Sequence, residues 1–266
     1  MKRIESAMLL LLLSSMLYAA TPISPVILVD NDECMMKIVA YEEDRWGFAL
    51  KAQCQNKSPD KTYAFVIDEA VVNGLMETAI GYSEVAPRKK ANISISLYGF
   101  RDDGIDFPYD ILLAYRVSDC NDWFADPVAE GEAHVYPKGE ENKASYSRIP
   151  SADDIPLLSA DGVSATVTGI TNSGKLELRV FLENNTDRTV LFSIDDASVN
   201  GFMIDPYWAK SVLPHSSAYS DVSWSQSRLE EEFIFGAEEA EFTIIATDYD
   251  DWLAPEIAGN AISLAF

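Results

Sequence analysis

Two short acidic runs carry the residue types best suited to chemistry. They read Asp119-Cys120-Asn121-Asp122-Trp123 and Asp248-Tyr249-Asp250-Asp251-Trp252. Alternate oxygen-bearing side chains can gather around a hard cation, and calcium is the cation such a set suits. Asp119, Asn121, Asp122, Asp248, Asp250 and Asp251 are therefore the candidate metal ligands. The runs lack the glycine and terminal glutamate of a helix-loop-helix calcium site. The competing expectation is that the carboxylates cap turn amides while Trp123 and Trp252 anchor the core. No other cofactor is expected. A second kind of chemistry is ring stacking on a sugar, for which Tyr207, Trp208 and Trp224 are the candidate ligand-binding residues, with Trp46 beside them.

Catalytic patterns are sparse. The chain has 2 histidines, His134 and His215, and nothing in the spacing gives either a nucleophile and an orienting group. No Gly-x-Ser-x-Gly elbow, His-Glu-x-x-His helix or glycine-rich phosphate loop occurs. Glycoside hydrolysis needs two acids at a set separation, and 43 acidic residues offer no way to choose a pair. No catalytic residue is assigned. Cys34, Cys54 and Cys120 fit no zinc spacing, and an odd count leaves at least one thiol unpaired within the chain. Their counterparts in the second half are Val163, Leu182 and Tyr249, so they read as small buried hydrophobes.

The elements that must position these residues come in two copies. At a displacement of about 128 residues, Asn56 to Thr62 matches Asn184 to Thr189 with one extra residue at Pro59. Phe65, Ile67, Asp68, Ala70, Val72, Asn73, Gly74 and Met76 fall on Phe192, Ile194, Asp195, Ala197, Val199, Asn200, Gly201 and Met203. Val85, Pro87, Ala91 and Ser96 fall on Val212, Pro214, Ala218 and Ser223. Each copy reads as strands. Leu176, Leu178, Val180 and Leu182 alternate with Glu177, Arg179, Phe181 and Glu183, giving one buried and one largely wet face. Asn73-Gly74 and Asn200-Gly201 supply the positive φ of tight hairpins. One short helical turn is expected at Leu229 to Phe235. About seven or eight strands in roughly 110 residues predict an all-β fold of two tandem immunoglobulin-like antiparallel β-sandwiches, with small antiparallel barrels as the alternative. The division expected is 1–22 signal peptide, 23–137 first sandwich, 138–154 linker and 155–266 second sandwich.

The pattern resembles a repeated immunoglobulin-like domain of uncharacterised exported proteins and lipoproteins of gut clostridia. It is carried by Asn184, Thr189, Ile194-Asp195, Val199-Asn200-Gly201, Met203, Pro214, Ala218 and Asp248 to Trp252. The family's basic residues after the proline stand in the first copy as Arg88-Lys89-Lys90, whereas the second has His215-Ser216-Ser217. The cysteine that the family's lipoproteins carry after the signal is absent. The resemblance implies an extracellular β-domain and supplies no catalytic residue.

Lys2, Arg3 and the apolar run from Ala7 to Leu17 predict export, with cleavage after Ala19 or Ala20 and an uncleaved anchor as the alternative. No later apolar run reaches spanning length. The net charge of -23 repels phosphate and argues against nucleic acid and anionic lipid. Residues from Ser151 onward hold roughly -15 of it. The expected function is a non-catalytic extracellular binding or structural module. A carbohydrate-binding module and, third, a hydrolase are the alternatives. The expected partner is an extracellular protein or glycan.

Overall fold

The computed structural model describes residues 20–44, 47–122, 124–251 and 253–266. The leader through residue 19, Trp46, Trp123 and Trp252 lie outside the described residues. The chain divides into two compact units. The second consists of Val71–Met76 with Ser145–Phe266, and the first takes the other described residues through Ala144.

The first copy contains β1 (Thr21–Asp30), β2 (Cys34–Asp44), β3 (Gly47–Asn56), β4 (Tyr63–Val72), β5 (Leu75–Val85), β6 (Lys90–Tyr98), β7 (Ile111–Asp119) and β8 (Ala129–Val135). One sheet runs β1-β2-β3-β6-β5, the other β4-β7-β8, and β5 also pairs with β4. The path crosses between sheets after β3, β4 and β6. This is the Greek-key order of an immunoglobulin sandwich with β1 added at one edge. β1 begins at Thr21, and Thr21 and Pro22 pair with Tyr41 and Ala40, so strand pairing includes two residues the sequence assigned to the leader.

The second copy repeats this arrangement. It contains β9 (Ile155–Ala160), β10 (Val163–Asn172), β11 (Leu176–Asn184), β12 (Val190–Val199), β13 (Phe202–Met203), β14 (Ala209–Val212), β15 (Ser216–Trp224), β16 (Glu239–Asp248) and β17 (Ala258–Ala265). One sheet runs β9-β10-β11-β15; the other runs β13-β12-β16-β17 with β14 also on β12. The sheets do not close into barrels. The one α-helix among the described residues, α1 (Gln226–Glu231), starts three residues before the expected turn.

Period-two alternation sets the core. Leu176, Leu178, Val180 and Leu182 are fully buried on β11, and Phe242, Ile244 and Ala246 face them from β16. Asn73, Gly74, Asn200 and Gly201 all have positive φ, at 53°, 92°, 51° and 79°. The repeated asparagine before β4 and β12 is a buried pin. Asn56 Nδ2 donates to the carbonyls of Lys61 and Val85. Asn184 Nδ2 donates to those of Arg188, Val212 and Leu213.

One expectation on solvation changes. Phe181, placed on the wet face of β11, is buried because the preceding segment covers it. Tyr146 stands 6.3 Å from the Phe181 ring and its hydroxyl meets that of Tyr219 at 3.1 Å. The Arg148 guanidinium lies 5.3 Å over Phe181 and forms a two-pronged bond to Asp154 at 3.0 and 2.6 Å. Residues 145–154 are largely exposed, as their composition predicts, and within them Tyr146 and Arg148 lie over the outer face of the second unit's sheet.

Candidate functional site

The acidic turns are corners of the fold. Asp119 Oδ1 accepts the Asn121 amide and its other oxygen pairs with Lys61 at 3.4 Å. Asp248 Oδ1 accepts the Asp250 amide and its other oxygen pairs with Arg188 at 3.0 Å. The Asn121 amide holds the Asp119 carboxyl below its ordinary range, with Lys61 assisting. Asp122 and Asp251 each accept the amide two residues on, from Phe124 and Leu253. The backbones close the same corner, with Cys120 N on Thr62 O and Tyr249 N on Thr189 O. Among the described residues, no three His, Cys, Asp or Glu side chains converge to hold a metal ion. What the geometry gives these carboxylates is the capping of turn amides.

The candidate aromatics separate. Trp224 is 1% exposed, packs 6.3 Å from Phe242 and donates its indole N–H to Ile204 O. It belongs to the core and offers no platform, because β15 turns it inward beside Val222. Trp208 is half-buried and donates to Ser220 Oγ at 2.8 Å. Tyr207 is 80% exposed, with the Arg228 guanidinium 5.8 Å from its ring.

The nucleophile and base candidates are engaged in structure. His134 meets Asp110 at 2.6 Å and stacks on Tyr136; His215 meets Asp187 at 2.8 Å. All three cysteines are free. Burial pushes the Cys34 thiol up to about 11 and the Cys54 thiol up to about 12, which suppresses the reactive thiolate.

The most distinctive surface lies at one end of the second unit, and the sequence reading missed it. The connection from β15 to β16 leaves Phe233 82% and Phe235 84% exposed. Asn200 Nδ2 donates to Gly236 O, which brings the exposed Phe202 and Met203 of β13 alongside. A cleft of about 110 Å³ opens there, lined by Lys175, Gln226, Leu229, Glu230, Ile234 and Phe235 among others.

The first copy shows how this surface arises. Its β6–β7 connection bonds Ile105 N to Phe100 O, and the β15–β16 connection bonds Ile234 N to Leu229 O. Both pairs are buried. Aligned on that bond, Gly104, Asp106 and Phe107 correspond to Phe233, Phe235 and Gly236. Phe107 is buried against Tyr41, Phe48 and Tyr109. The second copy has moved aromatic bulk from the inner position to two outer ones. Gly104 and Phe233 share positive φ, at 87° and 60°, so a bulky residue holds a conformation that glycine adopts freely. Tyr207 is also left-handed, at φ 50°. The readable signal was a pair of phenylalanines where the first copy has glycine and aspartate.

Comparison with family models and with curated proteins finds no match. Among solved structures, 86% of the chain is similar to red sea bream transglutaminase, at 12% identity and a TM-score of 0.25. The match spans 31% of that protein's chain. At that level of likeness neither fold nor activity transfers.

Proposed function

We propose that the chain is an exported, non-catalytic binding module that works outside the cell through the aromatic end of its second sandwich. The carrying observation is the exchange of Gly104, Asp106 and Phe107 for Phe233, Phe235 and Gly236. Leaving a phenylalanine in water forfeits about 1.5–3 kcal/mol relative to burying it, and a folding unit gains nothing by doing so twice. Exposed apolar clusters of this kind serve recognition. Export is supported by the basic start and apolar run of the N-terminal sequence. The non-catalytic reading is supported by the buried thiols and by histidines held against single surface carboxylates.

The test is biolayer interferometry of the full chain against hen lysozyme as a cationic protein, cellulose and chitin particles, and neutral phosphatidylcholine vesicles. Saturable binding to at least one of these, lost in Phe233→Ser/Phe235→Ser with the melting temperature unchanged, is expected. Binding that is absent throughout, or that survives the double substitution, would overturn the reading.

A further inference from the structure

We infer that the cleft beside Gly236 takes an aromatic side chain flanked by lysine or arginine, presented by a cationic polypeptide segment. This rests on the binding reading and names its partner.

The first argument is the vacancy. The equivalent place in the first copy is filled by Phe107. In the second copy a Cβ built on Gly236 meets no atom within 4 Å, and the backbone there is not left-handed. Gly236 is exposed, so its position opens to solvent beside the cleft and leaves room for a side chain that the chain does not supply. The cleft's 110 Å³ is on the scale of a benzene-sized site, about 150 Å³, and its wall is mixed, with Leu229, Ile234 and Phe235 beside Asn172, Lys175, Gln226 and Glu230.

The second argument is what the first copy puts there. Lys138 Nζ lies 3.6 Å from the centre of the Phe107 ring and 5.4 Å from that of Tyr109. That place thus holds an aromatic ring with a cation against it. In the second copy the exposed Phe233 and Phe235 rings offer the faces such a cation requires.

The third argument is charge. Glu230 lines the cleft, Glu232, Glu238 and Glu239 lie within two residues of its lining in sequence, and among the described residues no cation pairs with any of them. Lys175 is bonded to Glu177, and Arg228 is divided between Glu231 and the Tyr207 ring. Unpaired acidic residues beside exposed phenylalanines favour a partner that carries cations next to an aromatic ring and speed its capture at low salt.

The experiment uses the full chain and three fluorescein-labelled 12-residue peptides. Their repeats are Lys-Phe-Lys-Gly, Glu-Phe-Glu-Gly and Lys-Ser-Lys-Gly. By fluorescence anisotropy, the first should bind at least tenfold tighter than either of the others, and 0.5 M salt should weaken it further. Gly236→Phe, which refills the inner position, should weaken binding at least tenfold while leaving the second unit's melting temperature equal or higher. Glu230→Gln/Glu238→Gln should weaken the Lys-Phe-Lys-Gly peptide and leave its melting behaviour intact. Equal binding of the glutamate peptide, or wild-type affinity in Gly236→Phe, would overturn the inference. If no peptide binds but Gly236→Phe abolishes retention on chitin or vesicles, the cationic partner is wrong and the binding reading stands. If neither Gly236→Phe nor Phe233→Ser/Phe235→Ser alters any probe, both fall.

Discussion

Replacing Asn184 by alanine should destabilise the second unit by about 4 kcal/mol, far more than an ordinary polar substitution. Asn184 is 0% exposed. Its two amide hydrogens serve three carbonyls, Arg188 O at 2.8 Å, Val212 O at 2.9 Å and Leu213 O at 3.1 Å. Its oxygen accepts the Thr186 amide at 2.9 Å and the Thr186 hydroxyl at 2.7 Å. Alanine removes every one of these bonds. Arg188 and Thr186 lie close enough to solvent to be rehydrated. The bonds to Val212 O and Leu213 O are buried, and each orphaned carbonyl costs about 1–3 kcal/mol. In a unit of this size, 1 kcal/mol moves the melting temperature by roughly 4 °C, so a fall of about 16 °C is expected. Differential scanning calorimetry of the full chain measures it. Thr186→Ala should lower the transition by no more than about 6 °C, since it removes only one hydroxyl. Asn56→Ala should lower the first unit's transition for the same reason, because Asn56 bridges Lys61 O and Val85 O. A fall of less than 4 °C in Asn184→Ala, with the unfolding enthalpy unchanged, would refute the view that one buried amide joins β11 to the turns it faces.

Acid should weaken the fold below about pH 4. The Asn121 amide lowers the Asp119 pKa from its ordinary 3.8, and the Arg148 guanidinium does so for Asp154. A carboxyl whose pKa is lower in the folded chain contributes stability above the unfolded value, and that contribution is lost as pH falls through the folded one. Asp119→Asn/Asp154→Asn should therefore flatten the decline of melting temperature between pH 4 and pH 2, and an unchanged slope would count against these two groups. Iodoacetamide at pH 8 should label Cys120, which is partly exposed, before Cys34 and Cys54, and peptide mass mapping of the native protein reads the order. Tyr146→Ala should uncover Phe181 and lower the second unit's stability by about 1–3 kcal/mol, measured by urea unfolding. Titration with millimolar calcium should leave the melting temperature in place, because the acidic corners already spend their oxygens on turn amides; a rise of several degrees would restore the cation-site expectation.

Much of the architecture was legible in the sequence because it is local and duplicated. Alternation from Leu176 to Leu182 needs no distant residue to be read as a strand, and Asn200-Gly201 announces its own positive φ. Repetition then singled out Asn56 and Asn184, whose shared role is visible only once both are seen buried. Phe181 escaped because its burial depends on Tyr146, a residue outside the strand pattern. Trp224 reads as a candidate sugar platform because composition does not say which way a tryptophan at a strand end points; the register with Leu176 turns it inward. The cleft was invisible for a different reason. A missing side chain at Gly236 is significant only beside Phe107, and that correspondence needs the shared turn bonds to fix the alignment across a two-residue insertion.

The free thiols have a mechanical consequence. With none of its 3 cysteines cross-linked, neither sandwich has a covalent stop that would hold part of its chain in reserve under load. Pulled past the rupture of its ladders, each copy would pay out its full contour, on the order of 350 Å for roughly 110 residues at about 3.3 Å apiece. A tether built this way yields by lengthening, and it can refold when the tension drops without any oxidant to restore it.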